Sequence, residues 1–180
     1  MSRVIVSNMM SLDGFFEGAN HELDWHVVEP EFFAYAAEML RAAEVLLFGR
    51  KTWEMMAAYW PAAPRDEIAD KMNQLPKIVF SKSLKSADWN HTTVVRSDAA
   101  EKVRSLKEQR GGDAVVLGSA ELASGLLRDG LIDEYRVIVN PVILGCGQPM
   151  FRGFQQRMRL QLNEVRRFHS GVVMLSYQPA

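Results

Sequence analysis

The chain has 180 residues, 48 % of them apolar, which is enough for a core of ordinary domain size and excludes a disordered polymer. A formal net charge of −1 excludes an overall pull toward nucleic acid or anionic membrane. The one cysteine, Cys146, excludes an internal disulfide and a multi-cysteine metal site, and it fits a reducing, cytoplasmic setting.

Met1-Ser2-Arg3 runs straight into Val4-Ile5-Val6, an apolar run too short for a signal core. No stretch approaches the ~20 apolar residues that cross a bilayer. Arg3 to Asn8 reads as a first strand buried on both sides. A long loop follows over residues 11 to 24, with Gly14, Gly18 and Asn20. Pro30 suits a helix start, and Phe32, Ala36, Met39, Leu40 and Ala43 recur at helical spacing, which predicts a helix over 30–43. Val45 to Phe48 is a continuous apolar run of the central-strand type. A helix from Lys51 to Tyr59 ends at Pro61 and Pro64, which mark a surface loop. Lys77 to Phe80 and Thr92 to Val95 read as two more strands.

Asp98 with Glu101 has the spacing of a capping box, and Val103 and Leu106 give the helix after it a buried stripe. Gly111-Gly112 breaks that helix. Ala114 to Leu117 is the next strand, Ser119 an N-cap for a helix over 120–129, and Gly130 its closing glycine. Glu134 to Asn140, Arg159 to Phe168 and Gly171 to Gln178 then read as three strands with no long helix between them. The order predicts an α/β domain with a mainly parallel sheet, helices on both faces, and an antiparallel edge near the C-terminus. No linker divides residues 1–180.

Two turns carry the chemistry. Gly49-Arg50-Lys51-Thr52 follows an apolar strand and opens a helix; Gly49 lets the backbone approach closely, Thr52 adds a hydroxyl, and Arg50 and Lys51 add positive charge. Gly118-Ser119-Ala120-Glu121-Leu122 repeats the strand-to-helix plan, with N–H groups turned outward and Ser119 as hydroxyl donor or N-cap. Two such turns imply a ligand with more than one phosphate, so they are expected to converge on one dinucleotide. Neither is a Gly-x-Gly-x-x-Gly fingerprint or a P-loop. The same turns also serve as plain structural corners in an α/β module without a ligand. His21, His26, His91 and His169 lack metal-ligand spacing. Arg152, Arg157, Arg159, Arg166 and Arg167 read as a solvated edge or a partner surface.

Six pieces, in order, carry a family resemblance: Ser11-Leu12-Asp13-Gly14, Leu47 to Glu54, Lys77 to Ser81, Gly118-Ser119-Ala120, Gly130 to Tyr135, and Pro141 to Gly145. The chain resembles the dihydrofolate reductase-like superfamily, and within it the reductase domain of the riboflavin-biosynthesis deaminase/reductase (the RibD C-terminal domain) and its stand-alone relatives. The resemblance implies a dihydrofolate reductase-like fold, NADPH as cofactor, and hydride transfer to a pteridine-like or ribosylaminopyrimidine substrate such as 5-amino-6-(5-phosphoribosylamino)uracil.

It further implies that the turn at 49–52 takes the adenosine-side phosphates, that Gly118, Ser119, Ala120 and Leu122 meet the pyrophosphate, and that Ser81 and Lys82 lie beside the adenosine ribose and its 2′-phosphate. The loop with Asp13 and Gly14 folds over the nicotinamide and substrate. Asp13, Asp24 and Glu31 stand near the expected cleft; Asp13 and Glu31 are the candidate proton donors, and a water is the alternative. The zinc-binding deaminase half is absent. A homodimer with the late strands at its interface is implied, without nucleic acid, membrane or metal. The alternative reading is a non-catalytic nucleotide-binding protein that retains the fold.

Overall fold

The structure, a computed structural model, describes residues 2–109, 111–153 and 157–180. In chain order it contains β1 (Val4–Ser11), β2 (Phe15–Glu17), α1 (Pro30–Ala42), β3 (Ala43–Gly49), α2 (Arg50–Tyr59), a short 3-10 turn (Trp60–Ala62), α3 (Glu67–Gln74), β4 (Lys77–Phe80), β5 (Thr92–Val95), α4 (Ala99–Glu108), β6 (Asp113–Leu117), α5 (Ala120–Arg128), β7 (Glu134–Asn140), β8 (Gln148–Pro149), β9 (Leu160–Arg167) and β10 (Val173–Pro179).

Eight strands form one sheet in the order β5-β4-β3-β6-β1-β7-β10-β9. The first six run parallel. β10 is antiparallel to β7, and β9 to β10. The expected mainly parallel sheet with an antiparallel C-terminal edge is what the chain forms. β1, β3 and β6 are near-continuous apolar runs because both faces of the sheet are covered. On one face lie Leu46, Phe48 and Val115 with Tyr35 and Leu40 of α1, Trp53 of α2 and Met72 of α3. On the other lie Val4, Val6, Leu47 and Val116 with Val103 of α4 and Leu126 of α5.

Besides the 3-10 turn, three elements depart from the expected order. The long loop after β1 contains β2, which pairs antiparallel with β8 in a separate ribbon. α3 fills the stretch after the proline-rich loop. It is short, but its signals are local: Asp66 caps it by accepting from the Ala69 N–H at 2.7 Å, and Ile68, Ala69 and Met72 are its buried stripe.

Behind α3, Lys77 is 1 % exposed. Its ammonium donates to the carbonyls of Asn73 (3.1 Å), Leu75 (2.7 Å) and Asn90 (3.0 Å) and lies 4.5 Å from the Trp89 ring centroid. One cation thus ties the C-terminal end of α3 to β4 and to the loop before β5. Burial pushes its pKa down to about 8.

Candidate active-site cleft

Every parallel strand delivers its C-terminal end to the same edge of the sheet. There β3, β5 and β6 turn into α2, α4 and α5, so three helix N-termini gather at one rim. Between them opens a cleft of about 580 Å³. Gly49, Arg50, Lys51, Thr52, Ser119, Ala120, Glu121 and Leu122 line it, so the two turns meet in one place.

They are also bonded to each other. The Gly49 N–H donates to Ser119 Oγ at 2.8 Å, and the Ser119 N–H donates to Thr52 Oγ1 at 3.0 Å. Ser119 Oγ in turn donates to the Leu117 carbonyl at 3.3 Å. Gly118 (φ +60°) and Ser119 (φ +56°) are consecutive left-handed residues. A Cβ on Gly118 would stand 2.7 Å from Thr52 Cγ2, so glycine is required there for both conformation and space.

Ser119 sits at the N-cap position of α5, but its side chain makes no cap bond. A capping serine needs extended backbone, and the left-handed Ser119 turns its hydroxyl toward β3 instead. α2 likewise lacks a side-chain cap. The first-turn N–H groups of α2 and α5 therefore face the cleft without a side-chain cap, each helix end carrying the equivalent of about half a positive charge. α4 differs: Asp98 accepts from the Ala100 N–H at 2.8 Å and closes that end, although the cap bond runs to Ala100. Two uncapped, mutually bonded helix starts thus point toward one cleft, an arrangement whose partial positive charge favours an anion.

Other residues expected at this site stand elsewhere. Gly118 lies beneath the cleft, against Thr52. Gly14 (φ +92°) closes a turn by donating to the Ser11 carbonyl at 3.0 Å and accepting from the Met150 N–H at 3.1 Å. Ser81 follows the lining residue Phe80, yet its hydroxyl accepts from the Ser83 and Leu84 N–H groups at 3.3 and 3.0 Å. Lys82 is exposed and is not among the lining residues.

Asp13 is a clamp: its carboxylate accepts from Ser11 Oγ (2.7 Å), the Leu144 N–H (3.1 Å) and the Gly145 N–H (2.8 Å), joining the β1–β2 loop to the loop after β7. The Ser11 bond, then those N–H groups, hold its pKa below the ordinary carboxylate range. Glu31 pairs with the hairpin before β10, accepting from the His169 N–H at 2.6 Å with His169 Nδ1 at 2.7 Å, and these bonds lower its pKa as well. A carboxylate held ionised by its partners is a poor proton donor. Asp24 is exposed.

Several lining residues carry no local signal: Phe16 and Glu17 of β2, Phe80, Gly125 and Arg128 of α5, and Arg152. By sequence Arg152 belongs to a solvated arginine run. The structure separates that run, placing Arg152 on the cleft and Arg166 5.6 Å from the Tyr35 ring centroid, paired with Glu38 at 2.8 Å. Asn8 is 2 % exposed, and among the described residues neither amide atom has a partner, at a cost of about 1–3 kcal/mol. The register Val6↔Tyr135, Asn8↔Val137 sets it diagonal to Tyr135, whose buried hydroxyl is also unpartnered among those residues.

His26 lies in the loop before α1, next to Val27, whose N–H donates to Asn140 Oδ1 at 2.8 Å. Its Nε2 is buried without a partner among the described residues, and burial pushes the ring down to about 4 from 6.5. Between those values the unfolded chain binds more protons than the folded one. Stability is thus expected to fall by up to about 3 kcal/mol as pH drops through that window. Urea unfolding of wild type and His26→Phe at pH 7 and pH 4.5 measures it; the same acid loss in both proteins refutes the assignment.

A parallel sheet with an antiparallel edge and a cleft at its carboxyl rim is the architecture of a dihydrofolate reductase-like α/β protein. The RibD C-terminal domain family model matches residues 2–174, and the chain belongs to that family. It is 33 % identical over 182 residues to the uncharacterized protein YyaP of Bacillus subtilis (strain 168), covering 97 % of this chain and 94 % of that protein. Among solved structures it resembles a putative riboflavin biosynthesis protein from Shewanella sp. PV-4, with a TM-score of 0.77 at 17 % identity, covering 100 % of this chain and 99 % of that one. It also resembles Acinetobacter baumannii RibD, with a TM-score of 0.76 at 18 % identity; all of this chain is covered, but only 58 % of that one. The family is reductase-like. Among the described residues, no helix is long and apolar enough to cross a membrane and no group of three or more His, Cys, Asp and Glu side chains is placed to hold a metal.

Proposed function

We propose that this protein is a cytoplasmic NADPH-dependent reductase acting on a pteridine-like or ribosylaminopyrimidine substrate. The observation that carries the reading is the bonded pair of uncapped helix starts at Gly49–Thr52 and Ser119–Leu122. The residues fit a dinucleotide: N–H groups of both first turns would hold the pyrophosphate, and Lys51 with Arg50 would meet a further phosphate, Arg50 being already drawn toward Glu54 at 3.0 Å. NADPH, when bound, supplies a hydride. The Gly118–Ser119 corner holds the two turns at fixed spacing, and the β2–β8 ribbon walls the side of the cleft at Phe16 and Glu17.

Calorimetric titration with NADPH and NADH tests this. Micromolar binding of NADPH, weaker for NADH, is expected; no binding of either at millimolar concentration sinks the proposal.

The engagement of Asp13 and Glu31 favours the second reading, a nucleotide-binding protein without turnover. Substrate-dependent loss of NADPH absorbance in a panel of pteridines and aminopyrimidines would reject it.

We also propose a homodimer through β9 and β10. The register steps from Ser176↔Glu164 to Tyr177↔Leu162, leaving Asn163 as the extra residue of a bulge. That bulge keeps Leu160, Leu162 and Val165 on one face, in line with Leu175 and Tyr177. They are 40 %, 50 % and 55 % exposed, an apolar strip of the kind that marks an interface. Light scattering is expected to give a dimer for wild type and a monomer for Leu162→Glu; a monomeric wild type refutes the assembly.

A further inference from the structure

We infer that Gly125 is the wall on which the aromatic base of the bound dinucleotide lies, and that its missing side chain serves that contact rather than the fold. The inference rests on the dinucleotide reading above and adds a residue that sets affinity for one end of the ligand.

Glycine is the least favourable residue in a helix interior after proline. Three structural needs commonly place one there, and Gly125 meets none of them. It is not the glycine that closes the helix, since α5 runs on to Arg128 and the left-handed Gly130 follows. It is not among the left-handed glycines. It does not admit a close neighbour: among the described residues, and apart from its chain neighbours and the backbone of its own helix, the one heavy atom within 4 Å of a Cβ built on it is Arg128 Nη2, at 3.9 Å, an ordinary contact. Alanine would fit the folded chain without strain.

What Gly125 does face is the cleft. It lies one helical turn beyond Glu121, on the side of α5 that also lines the cleft at Leu122 and Arg128. At 1.5 Å per residue it stands roughly 7 Å along the helix from the first turn, where the phosphates would sit. A bare stretch of helix backbone there offers a flat surface. The Arg128 guanidinium beside it is planar and cationic, suited to stacking on an aromatic face. A planar heterocycle carried beyond a phosphate fits this surface, and a methyl group on Gly125 would hold the ring off it.

The test compares wild type, Gly125→Ala and Gly125→Leu against three probes: NADPH, 2′,5′-ADP (which has the base) and reduced nicotinamide mononucleotide (which lacks it). In Gly125→Ala the apo protein is expected to melt about 2–4 °C higher, because helix propensity improves while every packing neighbour of the folded chain stays in place. The same change is expected to weaken NADPH and 2′,5′-ADP about tenfold each, with a larger loss in Gly125→Leu, and to leave the mononucleotide within twofold. A more stable variant with poorer binding of base-containing probes alone is an outcome a structural role does not produce. NADPH affinities within twofold between wild type and Gly125→Ala overturn this inference and leave the dinucleotide reading standing. Failure of wild type to bind NADPH and 2′,5′-ADP overturns both.

Discussion

Gly118→Ala is expected to cost about 2 kcal/mol of stability and on the order of 100-fold in NADPH affinity. Two causes combine. A non-glycine residue at φ +60° loses roughly 1–2 kcal/mol to the clash of Cβ with backbone. The new Cβ would also stand 2.7 Å from Thr52 Cγ2 and 3.1 Å from Thr52 Oγ1, so Thr52 must shift. That shift breaks the bond from the Ser119 N–H to Thr52 Oγ1, and with it the spacing of the two helix starts. Misplacement of a preformed anion site lowers affinity far more than removal of one surface interaction, since about 2.7 kcal/mol is already 100-fold. Thr52→Ser removes Cγ2 and keeps the hydroxyl. The double variant Gly118→Ala/Thr52→Ser is therefore expected to recover part of both losses. Urea unfolding and NADPH titration across the four proteins of this cycle give the coupling; simple additivity would show that the two turns do not depend on this contact.

The second large effect lies far from the cleft. Lys77 titrates at about 8 in the folded protein against 10.5 in the unfolded chain, so the unfolded state binds more protons between those values. Stability then rises with pH across the window, by roughly 2 kcal/mol between pH 7.5 and 9.5. The rise has a structural reading: a neutral amine sheds the buried charge and gives up one of the three N–H donors that meet the Asn73, Leu75 and Asn90 carbonyls. Lys77→Met removes the donor common to all three. It is expected to lie about 2–4 kcal/mol below wild type at pH 9.5 and about 2 kcal/mol closer at pH 7.5. Measurements belong below pH 10, because burial raises the Tyr35 and Tyr135 phenols and their ionisation would subtract stability above that point. Parallel pH curves for wild type and variant would refute the assignment.

The fold was legible because its signals are local. β4, β5 and β7 have the bounds their apolar runs predict, and α1 and α5 agree to within a residue or two. α3 shows the same logic in reverse. Its cap at Asp66 and stripe at Ile68, Ala69 and Met72 stand in the sequence, but eight residues after two prolines give a weak period. β2 and β8 have no such signal. Strands of three and two residues owe their existence to the partner they meet across the fold.

The sequence by itself determined the order of the main strands and helices, α3 and the β2–β8 ribbon excepted, and the two glycine-led turns that open α2 and α5. Chain order along a parallel sheet then obliges both turns to the same rim. Tertiary structure alone decided which polar side chains are engaged within the fold. Ser119 reads as a cap, and becomes a brace for Gly49 because its backbone is left-handed. Asp13 and Glu31 read as acids, and become clamps because loops distant in the chain present N–H groups to them. A side chain's chemistry is written in its type, but its occupation depends on partners that lie, for Asp13 and Gly145, more than a hundred residues away, and no local pattern encodes them.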